Sequence, residues 1–518
     1  MPDLRRRAPE TTRGLDAALA AGQLSTSFIT GRTVAAATPT TVVAGVVPVA
    51  IAVTSGNFPL LFIVIAAVYL LFCVGYLAAS RMVPADTASG AFYNLVSRGL
   101  SQTMGVGAGW VAVAAYTALT LGLYGLIGAI LGPPLSSLLG ITLPWQAVAI
   151  PAALLVGWLG LLKIEVGTRF LMVLVTCEVL MITVVTAANW LHPAADTSPL
   201  DALNPHQLTT GAPVVAAQLA LAVLGYIGTE LTVVHTRDAR DSHRGVARAT
   251  VATIAVLTVL YVAAPAGLSV TLGVDGVVHA AQADPGGLFV STARTHLGEL
   301  AATIVQILFA GSLLAGAIAF HGATAFYCVH LGRDHAAPRA LARVGRKHGS
   351  ATVASLSQTV LAVAAIITVS VLGADPVQTL FYYGGTAGAV GILALLALTA
   401  LAIAVILLRQ RTTPSSTTAH GAATPAELDH LDDSTGRLGA AHRRWAAAAA
   451  IPATIVLAVL LTIVMLHLDT LLGVTPDSPL PFAVQLTYLA VFIAGVTWAL
   501  CRRSAAVRHT APAGTDRR

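Results

Sequence analysis

Residues 34–50 read VAAATPTTVVAGVVPVA, and residues 219–234 read LALAVLGYIGTELTVV. Both are apolar runs of membrane-spanning character broken near the middle, the first at Pro39 and Gly45, the second at Gly225 and Gly228. Proline removes a helical N–H, and glycine weakens a helix. Backbone groups released inside a bilayer cannot face hydrocarbon. They must be buried in protein or line a wet cavity. Two such interruptions at corresponding places in two halves of a chain predict a binding site near the midplane.

The whole chain has a matching composition. Of its 518 residues, 56% are hydrophobic and 10% charged, with a mean hydropathy of +0.80; a soluble domain carries about 25% charged residues. Runs of roughly 20 apolar residues suffice to span. Twelve are predicted, at 33–54, 59–79, 104–131, 145–162, 170–190, 212–235, 249–272, 300–330, 351–372, 377–408, 445–467 and 481–501. The expected fold is an all-α integral membrane protein. With the N-terminus inside, every lysine and arginine except Arg294 falls on the inner side, as the positive-inside rule requires. Both termini are therefore expected in the cytoplasm, with the protein in the cell membrane. The net charge of +6 is assigned to loops facing anionic lipid, not to nucleic acid.

This divides the chain into an N-terminal tail (1–32), a core of ten helices (33–408), a linker (409–444), two further helices (445–501) and a C-terminal tail (502–518). The linker is rich in Ser, Thr, Pro, Asp and His, so it is expected to be disordered. A short outer helix is expected within 284–299. Residues 1–30 hold no cleavable signal pattern. Cys73, Cys177, Cys328 and Cys501 lie in or at the ends of spans and read as packing residues. No metal site or cofactor is expected. The absence of GxxxxGK[ST], HExxH and GxSxG argues against ATP-driven or hydrolytic chemistry.

Only Glu178 and Glu230 among the acids sit well inside spans. A carboxylate there is expensive and normally functional. Glu230 follows the second break; it either titrates or ties down unwound backbone. Glu178 is a second coupling or gating candidate, or a structural hydrogen-bonding group. The outer half of the first helix is expected to start near Val43–Gly45, and the inner half of the sixth near Thr229–Glu230. Both N-termini would offer N–H donors to a carboxylate, and opposing carbonyls would suit an ammonium. Pro39 is counted with the binding stretch as the site of the first break, and Thr40 and Thr41 add hydroxyls there. Tyr116, Thr117 and Tyr124 of the third span, Ser312 of the eighth, and Tyr382 and Tyr383 of the tenth are candidate lining residues. His321 reads as a structural histidine.

Four stretches carry a family resemblance: ATPTTVVAGVVP (37–48), PADTASGAFYNLVSRGLS (84–101), GYIGTELTVVHTRDARDSHRGVARA (225–249) and AFHGATAFYCVHLGRDHAAPRALARV (319–344). The chain resembles the amino acid–polyamine–organocation superfamily, amino acid permease type, over nearly its whole length. The resemblance implies a five-plus-five inverted repeat, discontinuous first and sixth helices, and alternating access. It implies transport of an amino acid or related amine coupled to a proton, sodium or a counter-substrate. By its motifs, Val42, Val43, Ala44 and Gly45, then Leu224, Gly225, Tyr226 and Ile227, match substrate-contacting stretches, Thr117 matches a third-helix contact, and Glu230 a proton-sensing position. Departures are Thr229 for the family's aromatic, Arg237–Asp238 for its acid pair, Ser242 and Ala247 for its prolines, and Phe326 and Gly322 for its eighth-span arginine and asparagine. A polyamine or organic-amine transporter, and an amino-acid sensor on the same scaffold, are the alternatives. Oligomeric state is not legible.

Overall fold

The computed structural model describes residues 26–80, 91–162, 168–195, 203–204, 211–229, 244–345, 350–409 and 440–510. Glu230, the loop 231–243, most of the linker and the ends of both tails lie outside the described residues. Among those described there are helices and turns, and no strand.

Helix α1 (Thr26–Ala36) is separated by two residues from α2 (Pro39–Thr41), which runs through a π-helical stretch (Val42–Val46) into α3 (Val47–Thr54). Then come α4 (Leu61–Ser80), α5 (Ala91–Gly99), α6 (Gln102–Leu139), α7 (Gln146–Leu162) and α8 (Thr168–Leu191). The next group is α9 (Ala212–Tyr226), α10 (Arg244–Leu272), α11 (Val274–Ala283), α12 (Leu288–Leu297), α13 (Glu299–Arg333) and α14 (Thr352–Val371). A second π-helical stretch (Val377–Gly384) opens α15 (Gly385–Arg409), followed by α16 (Ala440–Leu466), α17 (Leu468–Leu472) and α18 (Leu480–Thr510).

Among the described residues, ten helical segments are long and apolar enough to cross a membrane, and α7 and α9 are apolar but shorter. The 15 residues of α9 rise about 22 Å at 1.5 Å each, less than the roughly 30 Å hydrocarbon core. That is the length expected of one half of an interrupted helix.

Burial places the interrupted segment at the centre. The span 29–54 is 94% buried in its most apolar window, against 11% for the span within α18. Outward faces carry large apolar side chains, such as Val360 and Val371 on α14 and Ile493 on α18. A continuous apolar exterior around a tightly filled interior suits lipid rather than water.

Local signals explain several boundaries. The hydroxyl of Ser101, in extended backbone, accepts from the Met104 N–H at 3.2 Å and caps α6. Other boundaries depart from the sequence reading. Helix α1 begins at Thr26, inside the expected tail, because Ile29 packs against Val246 and Ala249 of α10. Helix α6 runs on through Pro133 and Pro134 to Leu139. Helix α16 starts at Ala440, inside the expected linker. Within 284–299 the structure has α12, preceded by α11, which the sequence reading did not separate.

Candidate functional site

The first interruption lies at Ala37–Thr38. Thr38 adopts left-handed backbone (φ 46°, ψ 66°) and serves as the N-cap of α2. Proline at the first helical position costs nothing there, because its missing N–H would be unpaired anyway. The new helical start is thus at Pro39. The expected start near Val43–Gly45 is corrected: those residues lie one turn further on, inside the π-helical stretch and fully enclosed. Gly45 faces Leu126 and Phe309 rather than open space.

Every N–H at this start is engaged. Thr40 donates from its backbone N–H to Glu178 Oε2 at 3.2 Å and from its hydroxyl to the same oxygen at 3.0 Å. The Thr41 N–H donates to Ser312 Oγ at 3.3 Å, and that hydroxyl donates to Glu178 Oε2 at 3.0 Å. The Val42 N–H donates to Thr38 O at 3.3 Å. Glu178, on α8, thus places its own carboxyl group at a helix N-terminus suited to anions, and Ser312 on α13 completes the link.

The second interruption follows Tyr226. Ile227 is extended (ψ 132°), and Gly228 has φ +103°, a region that costs an L-residue dearly. The Thr229 hydroxyl donates to Tyr226 O at 2.8 Å, satisfying one carbonyl left over at the helix end. The two breaks touch: a Cβ on Gly228 would lie 3.0 Å from Ala36 O and 3.3 Å from Ala37 N.

A cavity of about 50 Å³ opens beside this contact. The first span supplies Ala37, Thr38, Thr41, Val42, Val46 and Val49; the sixth supplies Leu221, Leu224 and Ile227. Leu119, Gly122 and Leu123 of α6, Phe320 of α13, and Phe381, Tyr382, Gly385 and Thr386 at the second π-helical stretch close the remaining sides. π-Helical segments concentrate at functional sites, and both of this chain's described ones contribute here.

Of the predicted binding residues, Thr41, Val42, Leu224 and Ile227 line the cavity, as does the candidate Tyr382. Pro39, Thr40, Val43, Ala44 and Gly45 stand behind that wall. Tyr226 donates from its hydroxyl to Phe62 O at 3.0 Å, and Gly225 packs on Tyr261 and Phe62. Thr117 returns its hydroxyl to Val113 O at 2.7 Å, while Tyr116 is stacked with Tyr327 and tilted against Phe320. Gly228 joins the breaks, and Ser312 holds Glu178. His321 pairs with the Ser355 hydroxyl at 2.8 Å. The sequence reading missed Gly385 and Thr386; the glycine pair Gly384–Gly385 ahead of Thr386 was the available signal.

Beyond the far end of α3, Gln218 of α9 donates to Thr54 Oγ1 at 2.7 Å and to Gly56 O, and Asn57 Nδ2 donates to Pro265 O and Ser269 Oγ, both at 2.8 Å. These bonds tie the loop after α3 to α9 and α10.

Among comparisons with known proteins, a family profile described as amino acid permease matches residues 22–496. No curated protein matches the chain.

Proposed function

We propose a transport mechanism from one premise: this chain belongs to the amino acid permease family, and is a multi-pass membrane transporter of amino acids or related organic compounds. The finer reading is a secondary active transporter of amino acids across the cell membrane by alternating access. Its frame has twelve spans in a five-plus-five inverted repeat, with cytoplasmic termini. One observation carries this reading: the interrupted first and sixth helices meet, backbone against backbone, beside a cavity that both help to line.

Glu178 supports a coupling scheme. In the structure its carboxyl oxygen takes the donors that a substrate carboxylate would want at the first break. A protonated carboxyl is a poorer acceptor than a carboxylate. Proton uptake at Glu178 would therefore loosen the Thr40 and Ser312 bonds that fix the first break beside the cavity, freeing that break to rearrange around substrate. Proton and substrate then favour each other's binding, which is the linkage symport requires. A zwitterion entering with one proton moves one net charge. At 100 mV that is worth about 2.3 kcal/mol, a concentration ratio of about fifty.

Proteoliposomes loaded at neutral pH and given an acidic exterior, with sodium absent, test this. Accumulation of label from a pooled amino acid mixture, abolished by a protonophore, is the expected result. Accumulation only when sodium is supplied would reject proton coupling. Ligand binding without uptake or counterflow would favour the sensor reading.

A further inference from the structure

Threonine hydroxyls in these spans normally return to the carbonyl four residues back, as Thr33, Thr54, Thr117 and Thr120 do at 2.6 to 2.9 Å. A few do not. Among the buried hydroxyls left without a partner in the described residues, only those of Thr41 and Thr386 belong to side chains lining the cavity. Thr41 is 4% exposed and Thr386 0%. A buried hydroxyl without a partner is costly, so both are poised for a ligand group.

Apart from Thr38 and Tyr382, whose hydroxyl donates to Leu471 O, the remaining lining is apolar, with no charged side chain among the described residues. A cationic or anionic substrate side chain would lose its hydration there without gaining a counter-charge. Gly385 marks the free space: a Cβ built on it meets nothing within 4 Å. Its backbone is helical, at φ −61° and ψ −45°.

The geometry points to a substrate class: the cavity takes a small neutral amino acid with an aliphatic side chain, and Thr386 is a specificity-determining residue that, with Thr41, hydrogen-bonds its polar end. This rests on the transport reading above, and it narrows that reading to neutral solutes. Lysine, glutamate and diamines are excluded by the apolar walls. Tryptophan, the bulkiest amino acid, probes the upper size limit.

The test uses the full-length chain and two readouts: uptake into proteoliposomes, and ligand-induced thermostabilisation in detergent. The probes are alanine, valine, leucine, lysine, glutamate, tryptophan and putrescine. The expected result is uptake and stabilisation by the first three alone. Thr386→Val, which keeps the shape and removes the hydroxyl, should raise KM by about tenfold, and Thr386→Ser should restore it. Should Thr386→Val fail to fold, Gly385→Ala serves as the second variant, because its added methyl enters open space. It should weaken leucine more than alanine.

Uptake confined to lysine, glutamate, tryptophan or putrescine overturns the substrate class and leaves transport standing. A folded Thr386→Val whose KM stays within about twofold of the parent overturns the role of Thr386. Gly385→Ala with unchanged size preference overturns the placement of the substrate side chain. Stabilisation by neutral amino acids without flux supports this inference and rejects the transport reading. No response to any probe rejects both.

Discussion

In the proposed mechanism, Glu178 is the residue on which coupling turns. Its Oε2 receives three donors, from Thr40 N, Thr40 Oγ1 and Ser312 Oγ. Glu178→Gln keeps the shape and removes the titration. It should leave counterflow intact while abolishing accumulation driven by a pH gradient; retained accumulation would reject the coupling role. Gly228 makes the second residue-scale prediction. With φ +103° and Ala36 O only 3.0 Å from its notional Cβ, Gly228→Ala should cost about 1–3 kcal/mol. Gly322 is helical with nothing within 4 Å of its Cβ position, so Gly322→Ala should be neutral or slightly stabilising. Melting temperatures of the two variants in detergent give the comparison. Sequence alone singled out Glu178 and Gly228 by residue type. It could not show that the Glu178 carboxyl group sits at the first break, because the fold brings together positions 138 apart in sequence.

At the scale of elements, the interruptions were readable because proline and glycine inside an apolar run leave few alternatives. The starting point of the outer half-helix was not: Pro39 begins it, and Gly45 sits inside a π-helical turn that no composition rule announces. The distortion at Val377–Gly384 was missed for the same reason, since π-helical turns follow from tertiary packing. Gln218 makes an element-scale prediction. Its bonds to Thr54 and Gly56 would, in the proposed topology, help close the outer side, and each is worth about 0.5–1.5 kcal/mol. Gln218→Leu should therefore open the outer side more often. Labelling of Leu221→Cys by an impermeant thiol reagent, with native cysteines replaced, should accelerate about tenfold.

The short helix α12 makes a pH prediction. His296 stacks on His192 with centroids 4.7 Å apart and pairs with Thr271 Oγ1 at 2.8 Å. Burial, then the neighbouring His192, lowers its pKa below the ordinary 6.5. The folded protein then binds fewer protons than the unfolded chain just below pH 6.5, so stability rises with pH there. The contribution is complete above 6.5 and is lost as pH falls from 6.5 through the lowered value. His296→Gln should reduce the fall in melting temperature between pH 7 and 5 (about two units below neutral, spanning the ordinary histidine range); an unchanged fall would place the acid sensitivity elsewhere.

At the scale of the molecule, composition and the recurrence of long apolar runs were enough to read an all-helical membrane protein, because the bilayer allows so few backbone solutions. The cavity chemistry was not readable, since Leu119, Phe320 and Thr386 converge from three distant helices. The central claim is that substrate passes between the two abutting breaks. Alkylation of Ile227→Cys, in a background without other cysteines, tests it most directly. A neutral amino acid should slow the alkylation, and the modified protein should lose uptake. Equal rates with and without substrate, together with uptake that survives modification, would contradict it.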